Sequence, residues 1–379
     1  MTSNLFDHDD ILGALNENVP LNVKLTSIHR VLRGRFGFIE RVAIALYDQD
    51  TDVLKTFVSS DKEGSPLRYY ESPLSEANSL REILTKRRPR VVQDLTLFGG
   101  GEKVHTQKLA AAGFAASYTM PMFQNGELFG FLFFNSMQRD CFTHDVLHQL
   151  DLFGHLISLT IINELTSIRM LVASVQVARH VSQYRDVETG AHVNRTAHYA
   201  RLIARELGPK YNLSDDFIEN VFLFSPLHDI GKVGIPDRIL KKPGALSESE
   251  FDVMKTHARL GREIIDALLE DFGTGGVTHA DVLRNIAEFH HEAVDGSGYP
   301  SGLSGSAIPL EARISSVADV FDALTSKRPY KDAWTNEEAI KTLQRLSGTK
   351  LDKECVEALV KNMKEVQDIQ RRFVDSEFG

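Results

Sequence analysis

The stretch FLFSPLHDIGKVGIP, from Phe222 to Pro236, sets His228 beside Asp229 where an apolar run ends. The imidazole offers a neutral nitrogen to a divalent metal, and the carboxylate can bridge to a second one. Lys232 adds a positive charge within a helical turn. Alone, such a pair is more often an exposed helix end than a site. Its neighbours argue for a site. Upstream, Glu188 and His192 are four apart, so on a helix they share one face and can grip one metal cluster. Downstream come His257, then His290, His291 and Glu292, then Asp319 with Asp322 one turn later. Each segment puts a His or a carboxylate at the apolar-to-polar edge of a helical pattern. One such residue would read as a satisfied core group or a cap, but a whole series is hard to explain as core.

These residues need helices to carry them. After Tyr184 the chain reads as nearly all helical, with apolar runs at 193–207, 216–228, 248–270, 280–291, 309–325, 336–346 and 352–364. Ser214-Asp215-Asp216, Ser247 with Glu250 and Thr335 with Glu338 are helix-start signals. Ligands on several helices facing one bundle interior are a known way to build a multinuclear site. Before this region, a helical pattern without Pro runs from Thr143, itself a helix cap, to Tyr184. Positions 147, 154, 161, 168 and 175 with 150, 157, 164, 171 and 178 give a heptad seam that is apolar except at Gly154 and Glu164. That seam either joins a parallel dimer, the reading preferred here, or packs on the chain's own domains.

The order and spacing of His192, His228-Asp229 and Asp319 resemble the HD superfamily of metal phosphohydrolases. HHE followed by DGSGYP at Asp295 to Pro300, Gly302-Leu303, and RPYK at Arg328 to Lys331 resemble its HD-GYP branch. The likeness spans residues 180–375, and every motif position fits. Only the Gly/Thr-rich stretch Asp271 to Thr278 is irregular, and it reads as a surface loop. The resemblance implies a helical bundle that hydrolyses cyclic di-GMP with divalent metals, most simply iron or manganese. The ligands it implies are Glu188, His192, His228, Asp229, His257, His290, His291 and Asp319. Imidazole with carboxylate suits Fe, Mn, Co or Zn and is poor for Ca.

A metal pair about 3.5–4 Å apart can activate water and neutralise phosphate oxygens. Catalysis then falls to His228 and Asp229, with Lys232 as a proton donor to the leaving oxygen or only a counter-charge. Asp186 either orients a ligand or caps a helix, and Asp322 orients a ligand or Lys232. Gly296, Gly298 and Gly302 let backbone approach a ligand. Tyr299, before Pro300, offers a ring to a base and a hydroxyl to a phosphate. Arg328 and Lys331 can hold a phosphate or a guanine edge. Family members with a Glu four before the first His resemble those that assemble three metals, so the count is two to three with three preferred. A third metal would let the linear product pGpG be cut again to GMP.

The first part of the chain has a different rhythm. Leu21 onward reads as an amphipathic helix, Arg41 to Asp48 and Val53 to Val58 as strands, Ser79 with Glu82 as a capping box for a helix to Lys86, and Arg90 to Val92 as a strand. Runs 115–123 and 127–135 around Gln124-Asn125-Gly126 read as a hairpin. This order resembles a GAF sensor domain, which implies an α+β fold and a small regulatory ligand of unknown kind. The expected organisation is therefore residues 1–142 GAF-like, 143–184 connecting helix, and 185–379 the HD-GYP bundle.

Composition sets the outer bounds. The 379 residues are 42% hydrophobic and 25% charged, as in a water-soluble globular protein of two domains. A net charge of −9 argues against polymeric nucleic acid as a partner. Two distant cysteines imply no disulfide framework and fit the cytoplasm. No apolar run is long enough to span a membrane, and no signal peptide opens the chain. Two other functions share these features. One is a catalytically silent nucleotide receptor or adaptor, which a lost ligand would favour. The other is a phosphodiesterase for a mixed G/A cyclic dinucleotide.

Overall fold

The computed structural model describes residues 9–61, 66–98, 104–181, 190–271, 279–326 and 333–374. Asp186, Glu188, Arg328, Lys331 and most of the Gly/Thr-rich stretch lie outside the described residues. The chain divides into two compact units, Met1–Thr166 and Ser167–Gly379.

The first unit holds α1 (Leu21–Arg35), β1 (Arg41–Asp48), β2 (Val53–Ser59), β3 (Glu71–Pro73), α2 (Asn78–Lys86), β4 (Arg90–Val92), α3 (Val104–Ala111), β5 (Ala116–Gln124) and β6 (Glu127–Ser136). The helix α4 (His144–Val181) begins here. The strands form one antiparallel sheet in the order β3-β2-β1-β6-β5-β4. The β5–β6 hairpin turns on Asn125 and Gly126 with φ of 51° and 88°, the left-handed pair that a tight hairpin turn needs.

Thr143 caps α4, its hydroxyl accepting the Val146 N–H at 3.4 Å. Ser79 is no cap, however. The chain enters α2 from a 3₁₀ turn at Leu74–Glu76, so Ala77 takes the cap position and Ser79 falls inside the helix. The expected heptad seam also changes meaning. Leu150, Gly154, Ile157 and Ile161 are buried within this unit. A Cβ on Gly154 would lie 2.3 Å from Met120 Sδ, so α4 presses on β5 through that glycine. The outward face instead shows Leu152, Leu159 and Met170.

The second unit is helical: α5 (Gly190–Tyr211), α6 (Asp215–Phe224), α7 (Asp237–Leu240), α8 (Glu248–Lys255), α9 (His257–Asp271), α10 (Ala280–Phe289), α11 (Leu310–Thr325), α12 (Asn336–Leu346), α13 (Lys353–Lys361) and α14 (Met363–Arg372). α5 packs against α6, α11 and α13. Ser214 caps α6, and Ser247–Glu250 and Thr335–Glu338 form full capping boxes.

Helix breaks appear where apolar periodicity ran through, and they shape the site. α6 stops at Phe224, because Pro226 has no N–H to continue it, and a 3₁₀ turn leads to His228. The run 248–270 splits at Thr256. There the Thr256 hydroxyl bonds to Val253 O at 2.7 Å and the His257 ring to Met254 O at 2.8 Å, taking up carbonyls at the junction. Likewise 352–364 splits at Asn362, whose amide bonds to Ala358 O at 2.8 Å.

Candidate metal centre

The His-Asp pair lies between two 3₁₀ turns, Ser225–Leu227 and Ile230–Gly234. Gly231 decides where that segment sits. A Cβ there would be 1.9 Å from His257 O and 2.4 Å from Gly261 N. Only glycine permits this backbone-to-backbone approach, which brings Asp229 beside the first residue of α9. α5 supplies His192, the end of α10 supplies His290 and His291, and α11 supplies Asp319.

Two groups result. Ligand atoms of His192, His228 and Asp319 lie within 4.8 Å of one another, as do those of Asp229, His257, His290 and His291. Asp229 joins the groups. Its Oδ2 is 3.2 Å from His228 Nε2 and 2.7 Å from Lys232 Nζ. Its Oδ1 is 3.2 Å from His257 Nε2 and 3.6 Å from His290 Nε2. Asp319 Oδ1 stands 3.9 Å from both His192 Nε2 and His228 Nε2.

The rings are held from behind. Nδ1 of His228 donates to Ser225 O at 2.8 Å, that of His257 to Met254 O at 2.8 Å, and that of His290 to Ile286 O at 3.0 Å. A carbonyl can only accept, so each Nδ1 carries a proton and each Nε2 faces inward, with its lone pair open to a metal in the neutral ring. His192 Nδ1 donates to Asp322 Oδ2 at 2.7 Å. Asp322 thus orients a ring and not Lys232.

Asp229 Oδ1, His257 Nε2 and His290 Nε2 are buried and make no hydrogen bond. Buried polar atoms are rarely left so, and several converging on one point fit a bound cation. Burial pushes the His290 and His291 imidazoles below their usual value. Burial also pushes the Asp229 carboxyl up, but Lys232 and His228 outweigh it and hold it well below the usual carboxylate range. A neutral His290 and His291 beside an ionised Asp229 are protonation states a divalent ion requires.

Tyr299 leans over the second group, its ring centroid 4.8 Å from that of His291 and tilted by 31°. Burial pushes its phenol pKa up. Pro300 follows through a cis peptide bond. The glycine at 298 is required by the chain itself: a Cβ would lie 2.2 Å from Ala293 N, so the loop closes on its own backbone.

The sequence reading passed over Arg195, a buried residue three after His192. It donates to Asp322 Oδ1 at 2.7 Å and Oδ2 at 3.0 Å, to Ser326 Oγ at 2.7 Å and to Phe373 O at 2.8 Å. The signal was present, an Arg one turn along from a ligand His, but its acidic partner is more than a hundred residues away. Gly231 was also passed over.

A family model described as HD domain matches residues 180–355, and one described as GAF domain matches residues 22–161. The chain thus carries a GAF-like α+β domain followed by a helical region that matches an HD domain. This chain is 46% identical over 191 residues to a cyclic di-GMP phosphodiesterase response regulator of Xanthomonas campestris, covering 50% of this chain and 48% of that one. It is 41% identical over 206 residues to a cyclic di-GMP phosphodiesterase of Thermotoga maritima, covering 54% of this chain and 52% of that one. A 3'3'-cGAMP-specific phosphodiesterase of Vibrio cholerae is 40% identical over 191 residues, covering 50% of this chain and 34% of that one. The chain spans about half the length or less of these relatives. No helix among the described residues is long and apolar enough to cross a membrane.

Proposed function

We propose that the HD domain hydrolyses cyclic di-GMP to pGpG and then GMP with divalent metals, under control of the GAF domain. The observation that carries this reading is Asp229, with one carboxylate oxygen facing each group of donors. His192, His228, Asp229 and Asp319 would hold one ion, and Asp229, His257, His290 and His291 a second. Glu188 would add a third, and iron or manganese suits the donors. When bound, such ions neutralise phosphate oxygens and lower the pKa of an attacking water.

The chain's own residues do the rest. Lys232 stands at Asp229 Oδ2, where its ammonium can meet the leaving oxygen. Tyr299 offers a ring to a base, in a loop with Gly298 and Pro300. Arg328 and Lys331 grip a phosphate or a guanine edge, and Asp186 steadies Glu188. Asp322 holds His192 in its ligating tautomer.

Similarity to the Vibrio cholerae cyclic GMP-AMP enzyme supports a second reading, in which the substrate is a mixed G/A cyclic dinucleotide. A silent receptor is disfavoured, because the seven described donors gather in two groups that could each hold an ion. The GAF domain would take a small ligand in a cavity of about 70 Å³ lined by Ile44, Leu54, Leu80 and Leu109. The protein would act in the cytoplasm as a homodimer. Because the seam positions from Leu150 to Ile161 are buried within the GAF unit, the dimer contact falls on Leu152, Leu159 and Met170.

The test is metal analysis of anaerobically purified protein, with turnover of both cyclic dinucleotides followed to products. Two or three ions and conversion to GMP are expected, and Asp229→Asn should lose both metal and activity. Turnover by a metal-free protein, or by Asp229→Asn at the wild-type rate, would overturn the assignment.

A further inference from the structure

Glu292 follows the two donor histidines and is 4% exposed. Its carboxylate does not face the metal centre's donors. Oε1 accepts the Ser301 N–H at 2.7 Å, and Oε2 accepts the Leu303 N–H at 3.0 Å. Both amides belong to the loop that carries Tyr299. One strand of that loop is tied independently. Tyr299 N donates to His291 O at 3.2 Å, and Asp295 bridges to Ser304. Asp295 N also bonds to Thr349 O at 2.8 Å. The stretch past Pro300 is tied back at its end, by that bridge and by Gly305 N donating to Val294 O at 2.9 Å, which leaves Ser301 to Leu303 between the two anchored ends. Among the described residues, Glu292 is the side chain that bonds the backbone there.

We infer that Glu292 is a positioning residue that fixes the Tyr299 ring against His291 and so shapes the wall a substrate meets. This rests on the reading of the HD domain as a cyclic dinucleotide phosphodiesterase. The chemistry needs a carboxylate. Two amide donors converge on one side chain, and only a group with two acceptors and no donor satisfies both. Gln has nearly the same shape, but its NH₂ must face one of the two N–H groups. Charge-assisted bonds of this kind are the stronger sort, and a buried donor left without its acceptor is costly. With the grip weakened, the segment after Pro300 is released and Tyr299 loses its fixed tilt. The metal donors, anchored by backbone carbonyls on other elements, stay where they are.

The experiment compares wild type, Glu292→Gln, Tyr299→Ala and the double variant in the full chain. The first readout needs no activity: hydrogen–deuterium exchange by mass spectrometry. Peptides covering 300–305 should exchange at least tenfold faster in Glu292→Gln, while peptides from 280–289 keep the wild-type rate. Metal content should not change. In turnover of cyclic di-GMP, KM should rise about tenfold with a smaller change in kcat, tenfold being about 1.4 kcal/mol of binding. The double variant should be no worse than Tyr299→Ala, because Glu292 acts through that ring. Unchanged exchange at 300–305, loss of metal, or additive effects in the double variant would each overturn the inference. An inactive wild type that still shows the exchange difference would count against the proposed activity and not against the grip.

Discussion

Asp322→Asn separates a tautomer role from a packing role. Asp322 Oδ2 takes the His192 Nδ1 proton at 2.7 Å, Arg195 Nη2 at 3.0 Å and the Ser326 hydroxyl at 2.9 Å, while Oδ1 takes Arg195 Nε at 2.7 Å. An amide has one oxygen and one NH₂. If the oxygen stays opposite Arg195 Nε, the NH₂ points at His192 Nδ1. That ring is then best served by accepting at Nδ1 and carrying its proton on Nε2, where the metal lone pair belongs. If the amide flips, the NH₂ faces Arg195 Nε instead.

Loss of such a supporting group typically weakens metal binding by 10–100-fold, or about 1.4–2.7 kcal/mol. Folding suffers separately. Breaking a buried ion pair costs about 3–5 kcal/mol, and one retained hydrogen bond offsets about 1 kcal/mol, so about 2–4 kcal/mol is expected. Titration with Mn(II) against a competing chelator measures the first effect, and urea denaturation in EDTA the second. The site on the His192 side should weaken 10–100-fold, and the site on the His257 side much less. Wild-type affinity at both sites, with the stability loss in place, would mean that Asp322 serves only Arg195.

Glu188→Ala should lose one metal per chain and slow the cut of pGpG more than that of the cyclic substrate, as read by metal analysis and product chromatography. Asp216 gives a pH test away from the metals. Burial pushes its carboxyl up, but bonds from His279 and Ser214 more than reverse this and leave it below the usual value. Its stabilisation should therefore be complete above the unfolded value of about 3.9 and fade as pH falls through the lower folded value. Asp216→Asn should cost about 1 kcal/mol at pH 7 in denaturant unfolding, and the gap should close towards pH 3. A gap unchanged at pH 3 would refute the sign. Leu152→Asp with Leu159→Asp should give monomers by light scattering while the GAF domain stays folded. A dimer unaffected by both changes would place the contact elsewhere.

Residue order alone reveals the features that depend on neighbours along the chain. The Asn125-Gly126 hairpin, the caps at Thr143, Ser214, Ser247 and Thr335, and the helix patterns are local, because turn geometry and hydrogen bonds within a few residues set them. That His192, His228, Asp229, His257, His290, His291 and Asp319 stand as titratable side chains at the edges of apolar faces is legible too. Tertiary structure decided which donors share a site and through which atoms. Asp229 touches both groups because Gly231 lets its turn meet α9 backbone to backbone, a contact between segments that no local pattern records. The same holds for Arg195 with Asp322, and for the buried face of α4. A helical periodicity marks an apolar face but cannot say what covers it, and here the chain's own sheet does. Apolar periodicity also runs through the helix breaks at Pro226 and Thr256, because it records spacing and not the missing proline N–H or the side chains that take up nearby carbonyls.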